Sequence, residues 1–433
     1  MYVRYQDRSF ERKFEEHLDA IVRLIQSRLG SNLVSVLLVG GYGRGEGSVL
    51  LRGNAPSLLN DIDLAVVSHE RIEGGHLEQL MTDAAKIVKP DTRYRHDRYC
   101  PLDFHVDLFN LRAEDLPKLG LSQFSYDLKY ASTAIYGNHV LAEIPAFRSE
   151  EIPVWNSLVL LFNRCLTLSE IFPPDLITNY RNVDQSEWIY YFAIKGIIDS
   201  AAALLILSGQ YTPFHEERME VLKTSNGCLA SYLEDNPDLL PVFREYTDRK
   251  FVIREEDLNN PLKHWCLSRD ILLRTLDHCL CEAFSLPRSI GWPEKTRRFI
   301  TSRARERRAR SYGKSGVHGL RTPLRSSKFM AKMILHHLHL RRIPVTDPNI
   351  DYVYATVPLL LDALHIGTED GDTTVRVKIE DPVQVRNNLN SMGQQNRLEG
   401  LGETRGDEDS LETWIKLRDL VIGAWKGINW SQT

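Results

Sequence analysis

Cysteine and long apolar runs are both scarce in this chain of 433 residues. The six cysteines form no C-x-x-C pair, which excludes a disulfide scaffold and argues against a zinc ribbon. The longest mostly apolar run, residues 197–207, is interrupted by Asp199, so we expect no membrane-spanning helix. The first 16 residues are charged and contain no apolar segment. We therefore expect no secretory signal and a cytoplasmic location.

A strong excess of one charge is also missing from the chain as a whole. The formal net charge is −4, with 42% hydrophobic and 26% charged residues, which is ordinary for a soluble globular protein. These values exclude generic binding to nucleic acids or membranes. Residues 288–342 are the exception, because they hold sixteen Lys or Arg and two acids. This segment either neutralises the acidic remainder of the chain or binds a polyanionic partner.

The spacing of apolar residues predicts an α+β fold. Residues 9–29 have helical spacing, with Ser9 as the predicted cap and Gly30 as the end. Short β-branched runs predict three strands, and a second helix lies between the last two of them. The predicted strands are residues 33–39, 61–67 and 102–109, the second helix is residues 77–88, and residues 49–60 are predicted to be a loop.

After about residue 150 we predict helices and no strands. Helical patterns cover residues 154–172, 186–208, 216–223, 268–284, 351–365 and 411–425. Pro358 is expected to kink its helix or to mark a boundary, and the polar residues 388–410 are expected to form a linker. The chain is therefore divided into a catalytic domain at 1–150, a helical bundle at 151–286 and a basic, mostly helical region at 287–433.

The glycine-rich stretch GGYGRGEG at residues 40–47 follows the first predicted strand. Glycine lets the backbone approach an anion without obstruction by a Cβ atom, and a following helix start supplies backbone N–H groups. We therefore expect a polyphosphate ligand here. The stretch does not fit the G-x-G-x-x-G fingerprint of dinucleotide-binding folds, since Glu46 and Ser48 occupy the positions where a third glycine is needed.

Aspartates follow at alternate positions of the second strand. Asp61 and Asp63 point to one face of that strand, and Asp107 lies on the third strand. Neighbouring carboxylates repel each other, so a divalent cation is expected, and Mg²⁺ is commonly held by carboxylates together with substrate phosphates. A third carboxylate allows two ions to be held. Asp103 shares the face of Asp107 and is the alternative, although the V-D-L-F context favours Asp107.

The ordered pattern of these elements resembles the nucleotidyltransferase superfamily with a DNA polymerase β-like catalytic domain. GGYGRGEGS…NDIDLAVV is similar to aminoglycoside and lincosamide nucleotidyltransferases and to the catalytic start of the uridylyltransferase that acts on the PII protein. The resemblance covers about residues 30–142. It implies that Asp61, Asp63 and Asp107 are catalytic and bind two Mg²⁺ ions, or Mn²⁺ in their place. The nucleotide phosphates would be bound by the following residues: Gly40, Gly41, Arg44 and Ser48.

Two features depart from the family pattern. Nineteen residues separate Gly41 from Asp61, more than is usual, so residues 49–59 are expected to form an inserted loop at the mouth of the site. The family often has serine where Gly41 stands. In the helical region, Lys195 and Asp199 share a helix face. Lys195 is expected either to bind nucleotide phosphate, with Asp199 orienting it, or to form a surface ion pair.

The resemblance implies an enzyme that moves NMP from an NTP, with ATP the first candidate, to an acceptor hydroxyl, releasing pyrophosphate. The expected acceptor is a small molecule, sugar-containing or antibiotic-like. One alternative is transfer to a protein or RNA docked on residues 288–342. The other is a degenerate domain that binds nucleotide as a sensor or interaction module. No motif encodes the acceptor, the base preference or the oligomeric state.

Overall fold

The structure is a computed structural model. It describes residues 1–53, 55–59, 61–89, 106–172, 186–314, 348–369, 372–379, 381–391 and 411–430. The chain divides into two compact units. The first comprises Met1–Ile152 and Arg181–Ser268, and the second comprises Pro153–Tyr180 and Arg269–Thr433. The three domain boundaries drawn from the sequence stay a prediction.

Helices and strands alternate in the first part of the chain. In chain order they are α1 (Arg8–Leu29), β1 (Leu33–Leu38), α2 (Gly40–Gly43), β2 (Val49–Arg52), β3 (Ala55–Leu58), β4 (Ile62–Ser68), α3 (Gly74–Val88), β5 (Val106–Arg112), α4 (Gln123–Tyr130) and β6 (Thr133–Gly137).

The remaining described chain is mostly helical. It contains α5 (Trp155–Glu170), α6 (Ser186–Leu207), α7 (His215–Lys223), α8 (Gly227–Asp235), α9 (Leu239–Phe251), β7 (Val252–Arg254), α10 (Pro261–Phe284), α11 (Trp292–Lys314), α12 (Pro348–Asp362), β8 (Leu364–Glu369), β9 (Asp372–Val377), α13 (Pro382–Ser391) and α14 (Leu411–Trp430).

A mixed four-stranded sheet forms the centre of the first unit, in the order β5-β4-β1-β6. Strand β1 is antiparallel to β4 and β6, whereas β5 is parallel to β4. The central strands β1 and β4 are buried on both faces, which explains their continuous apolar sequences. One face packs with α1 and α3, and the other packs with α4. This mixed architecture of helices and sheet agrees with the predicted α+β class.

The start of α1 differs from the prediction. Asp7, not Ser9, is the N-cap, because the Asp7 carboxylate accepts hydrogen bonds from the backbone N–H groups of Ser9 and Phe10. The Ser9 hydroxyl also donates to Asp7. The predicted end is confirmed, since Gly30 has a φ of 52° and caps the helix.

The predicted loop at residues 49–60 is wrong, because this stretch contains the two strands β2 and β3. Strands β2 and β3 pair antiparallel, and β7 adds a parallel strand to β2. Gly53 provides the turn with a φ of 59°. Pro56 is tolerated in β3 because β3 is an edge strand of this three-stranded sheet. The sequence favoured a loop because its turn-forming residues conceal pairing with a strand that comes much later in the chain.

Helix α6 is the one helix in the described part of the chain that is long and apolar enough to cross a membrane. In its segment Glu187–Leu207, 89% of the most apolar stretch is buried inside the structure. Core helices of soluble proteins share this length and composition, and α6 has the burial of a core helix.

Three further predictions concern the chain after residue 150, and one of them is narrowed rather than overturned. Helix α12 continues through Pro358, so this proline marks no boundary, and the kink stays a prediction. Strands occur after residue 150, since β7 lies in the first unit and β8 and β9 form a hairpin in the second. Residues 388–391 belong to α13 rather than to a linker, and residues 392–410 lie outside the described residues. In the basic segment, α11 is helical and residues 315–347 lie outside the described residues.

Candidate active site

The glycine turn and the aspartates lie at the same edge of the four-stranded sheet. Because β1 is antiparallel to β4, the end of β1 meets the beginning of β4, and the Val39 N–H donates to the Asp63 carbonyl at 3.0 Å. Strand β5 starts at this edge as well. Its Asp107 is the register partner of Asp63. Asp61 directly precedes β4, so the fold brings the three predicted carboxylates beside residues 40–47.

The strand pleat sets the direction of these aspartates. Ile62 and Leu64 are fully buried on the face that packs against α1 and α3. Asp63 points to the opposite face, which carries α4, and is half-buried. Strand β5 repeats the pattern, with buried Val106 on one side and half-buried Asp107 on the other. The carboxylates therefore keep access to solvent at the end of a buried sheet.

Gly40 brings the backbone of the turn against the Asp63 carboxylate. Its φ is +64°, and a Cβ atom built on it would lie 2.3 Å from Asp63 Oδ2. Any side chain at this position would therefore displace the carboxylate, in addition to the strain of a positive φ. Helix α2 behind it is a single turn. Gly40 therefore allows the backbone to lie close to the Asp63 carboxylate, and no long helix follows it.

Several charges act on Asp63. Burial and the neighbouring carboxylates of Asp107 and Asp61 raise the pKa of Asp63 to about 7. The cationic side chains of Lys195 and Arg44 lower the pKa of the same carboxyl. The site thus combines carboxylates that repel one another with two cations within electrostatic reach.

The donor set fits Mg²⁺ by its chemistry. Carboxylate oxygens are the ligands that Mg²⁺ and Mn²⁺ prefer, and a divalent cation would relieve the repulsion among these groups. In the described ranges, however, no group of three or more His, Cys, Asp or Glu side chains is arranged to hold a metal ion. Metal binding by Asp61, Asp63 and Asp107 therefore stays a prediction. The alternative residue, Asp103, lies outside the described residues.

Arg44 is held between two carboxylates. Its Nε donates to Glu46 Oε2 at 3.3 Å, and its Nη1 lies 4.0 Å from Asp127 Oδ2. Only 11% of the Arg44 side chain is exposed. Contact between Arg44 and a triphosphate remains a prediction, but the structure assigns this guanidinium protein partners that the sequence did not reveal.

Lys195 of α6 lies over aromatic rings and acts on the site. Its Nζ is 4.6 Å from the centroid of the Tyr191 ring and 5.7 Å from that of Phe192. Its charge lowers the pKa of Asp63. Asp199, four residues later, acts on Asp127 and Arg218. Helix α6 therefore contributes charge to the same region as the aspartates, and phosphate binding by Lys195 stays a prediction.

The other predicted phosphate-binding residues have different surroundings. Ser48 is fully buried, and its backbone carbonyl accepts a hydrogen bond from the Tyr42 hydroxyl at 3.2 Å. At Gly41, a built Cβ atom would lie 3.3 Å from the Glu46 carbonyl oxygen. The serine common in the resembling family would therefore need this turn to shift slightly. Phosphate binding by Ser48 and Gly41 is not tested by these contacts.

A buried polar network beside the turn was not predicted as part of the site. Its members outside the turn come from α4, from the loop before α7, and from α7 and α9. They are Asp127, Tyr211, His215, Arg218 and Lys250. Glu46 of the R-G-E element joins these residues to the turn. The R-G-E motif was the only signal available in the sequence, because the other members show no local pattern.

No protein-family model matches the chain, and no curated protein matches it. Among solved structures, it has a distant likeness to spectinomycin adenyltransferase AAD(9) from Enterococcus faecialis, determined with ATP and spectinomycin. The match has 17% sequence identity and a TM-score of 0.31, and it covers 59% of this chain and 98% of that chain. A likeness at this level carries no argument about function, so the function is inferred from the residues of the site.

Proposed function

We propose that this protein is a nucleotidyltransferase that moves NMP from an NTP to the hydroxyl of a small-molecule acceptor. The observation that supports the proposal is the meeting of Asp63, its register partner Asp107 and the Gly40 turn at one sheet edge. Asp61 and the cations Arg44 and Lys195 act on the same carboxylate. The order of these residues resembles that of the polymerase β-like superfamily, although the spacing between Gly41 and Asp61 is longer than usual.

The proposed roles follow from charge. Asp61, Asp63 and Asp107 would hold Mg²⁺, which when bound neutralises the triphosphate and makes an attacking hydroxyl more acidic. Arg44 and Lys195 would attract the triphosphate, and Gly40 would let the backbone of the turn lie close to the Asp63 carboxylate. The chain itself would contribute mainly positioning and charge compensation, as is general for phosphoryl transfer.

The acceptor class, the donor and the location belong to the same proposal. We favour ATP as the donor, a sugar-containing or antibiotic-like acceptor and a cytoplasmic protein, because the family resemblance and the acidic chain agree with them. Transfer to protein or RNA is kept as an outcome of the experiment below.

Incubation with each labelled NTP and Mg²⁺, followed by mass spectrometry of small-molecule, protein and RNA fractions, tests the proposal. We expect NMP on a small molecule and equimolar pyrophosphate. Asp107→Asn should be inactive and Asp103→Asn active, since Asp107 is the register partner of Asp63. The reverse result would move the third carboxylate to Asp103. Absence of NMP transfer to all three fractions, with folded protein, would refute the proposed activity.

A further inference from the structure

Glu46 is a buried carboxylate at the end of the glycine turn. Its side chain is 1% exposed, and both carboxylate oxygens accept hydrogen bonds. Oε2 accepts from Arg44 Nε at 3.3 Å, while Oε1 accepts from the backbone N–H of His215 at 3.0 Å and from Arg4 Nη2 at 3.3 Å. Glu46 thus connects the guanidinium of Arg44 to the start of α7.

The second carboxylate beside Arg44 is anchored to the same segment. Asp127 accepts hydrogen bonds from the Tyr211 hydroxyl at 2.9 and 3.0 Å. That hydroxyl accepts from Arg218 Nη2 at 2.9 Å. Arg218 in turn donates from Nε to the Thr212 carbonyl at 2.8 Å. Both carboxylates that hold Arg44 are therefore fixed by residues 211–218.

His215 is neutral in this arrangement. Burial and the charges of Arg218, Lys250, Arg44 and Arg4 lower the pKa of His215 well below its ordinary value. Arg218 Nη1 lies 3.2 Å from His215 Nδ1, and because arginine can only donate, Nδ1 is the acceptor. The ring proton is then on Nε2, which is 3.9 Å from Glu46 Oε2. The imidazole therefore adds no positive charge beside Glu46.

We propose that Glu46 is a positioning residue that fixes the Arg44 guanidinium beside the glycine turn, where the nucleotide phosphates would bind. The proposal rests on the proposed function for the identity of the ligand. Two observations carry it. Glu46 and Asp127 contact the same guanidinium from separate elements, and both carboxylates are anchored to residues 211–218. Glu46 therefore acts through Arg44 rather than on a reacting group.

Glu46→Gln tests the hydrogen bonds specifically, because the groups around this side chain are hydrogen-bond donors. Each carboxylate oxygen accepts from at least one N–H group, so an amide in either orientation turns its own N–H toward a donor. Arg44 would then lose its fixed partner while the side chain keeps its size. Asp127→Asn tests the same guanidinium from the opposite side and remains informative if Glu46→Gln fails to fold.

Hydrogen exchange of the Arg44 Nε–H, followed by NMR on selectively labelled protein, measures the positioning itself. We expect a slow exchange in the unchanged protein and exchange at least tenfold faster in Glu46→Gln. Arg4→Gln is the matched control, because Arg4 is a 40% exposed partner of Glu46 that also pairs with Glu216 at the surface. Arg4→Gln should change the exchange rate of the Arg44 Nε–H by less than twofold relative to the unchanged protein. Equal exchange rates in the unchanged protein and Glu46→Gln would overturn the inference.

Binding of magnesium tripolyphosphate gives the functional readout without depending on the base. We expect Arg44→Gln and Glu46→Gln each to weaken binding about tenfold and the double variant to be no weaker than either, since both act through one guanidinium. Effects that multiply in the double variant would overturn the positioning role. If Arg44 is protected but the unchanged protein binds no tripolyphosphate, the proposed function fails while the exchange result still decides the positioning.

Discussion

Both compact units bury an aspartate or glutamate against arginine, but they surround it differently. In the first unit, Glu46 lies among Arg4, Arg44 and the backbone of His215. In the second unit, Asp351 is fully buried and accepts from Arg303 Nε at 3.3 Å. The Arg303 guanidinium lies 4.1 Å from the centroid of the Trp155 ring. Glu46 thus lies among several charged groups, whereas Asp351 lies in a core that contains aromatic rings.

The difference separates two uses of buried charge. Around Glu46, burial and then the cations Arg44, Lys195 and Arg218 lower the pKa of Lys250, so positive charges also repel one another inside the fold. Such repulsion costs stability and is explained if an anion binds nearby. The Arg303–Asp351 pair, in contrast, brings opposite charges into contact beside stacked aromatic rings. That arrangement serves packing and needs no ligand.

The largest effect is expected for Asp63→Asn in the first unit. NMP transfer should fall by about 10²–10³-fold, the order found when a charge-stabilising group is removed from an active site. Thermal stability should not fall, because the change removes one of three carboxylates that repel one another. Transfer assays with melting curves measure both. Asp19→Asn on the exposed face of α1 is the control and should change neither.

An Asp63→Asn protein with near-normal NMP transfer would contradict the assignment of the charged region as the active site. It would also mean that the different surroundings of Glu46 and Asp351 are unrelated to activity.

The sequence predicted this edge of the sheet well for a local reason. The runs at residues 33–39 and 61–67 are apolar and rich in β-branched residues because both faces of the sheet are buried. Such runs can be recognised as strands from the sequence alone. The alternation of Asp61 and Asp63 follows from the strand pleat. The register of Asp63 with Asp107 could not be predicted, because it depends on pairing between strands separated by α3 and residues outside the described ranges.

The rest of the site depends on distant partners. A lone glutamate in a glycine-rich turn is usually solvated, and contacts with residues far away in the sequence, such as Arg4 and His215, make Glu46 a buried carboxylate. The β2–β3 hairpin was missed for the same reason, since β7 supplies its third strand. Local chemistry therefore predicted the buried strands, whereas the environment of each charge is set by tertiary contacts. The role of the aspartates stays a prediction.

Asp351→Asn should produce the largest loss of stability in the second unit. Removing one partner of a buried ion pair typically costs about 3–5 kcal/mol. We expect a loss of this size in the free energy of unfolding, measured by denaturant titration with tryptophan fluorescence. The double change Arg303→Met with Asp351→Leu should be close to neutral, because apolar side chains of similar volume replace buried ion pairs with little loss. A double variant as unstable as the single one would show that this pair does more than pack.

Gly40→Ala should cost both stability and activity. The positive φ at Gly40 disfavours alanine by about 1–2 kcal/mol, and the new methyl group would also displace Asp63 Oδ2. Gly53→Ala is the matched control, because Gly53 has a φ of +59° with nothing within 4 Å of a built Cβ atom. We expect the two variants to share the strain and Gly40→Ala alone to reduce NMP transfer, measured with the melting temperature. Equal transfer rates in both variants would show that the close approach of Gly40 to Asp63 does not matter for NMP transfer.

The last prediction concerns pH and the charged groups of the first unit. Burial and the charges of Arg44, Lys195 and Arg218 lower the pKa of Lys250 from 10.5 to about 7, although its Nζ donates to the Glu46 carbonyl. Between these two pH values the unfolded chain holds a proton on this lysine that the folded chain has released. The free energy of unfolding should therefore rise with pH from about 7 to about 10.

Lys250→Met should flatten this rise, which is measured as the difference between denaturant titrations at about pH 7 and about pH 9.5. The buried cation of the second unit provides the control. Arginine stays protonated throughout this range, so the double change Arg303→Met with Asp351→Leu, which removes both charges of the buried pair, should leave the slope of stability with pH unchanged. If Lys250→Met leaves the dependence of unfolding free energy on pH unchanged, the environment beside Glu46 does not perturb Lys250. The contrast drawn between the charges around Glu46 and the Arg303–Asp351 pair would then be wrong.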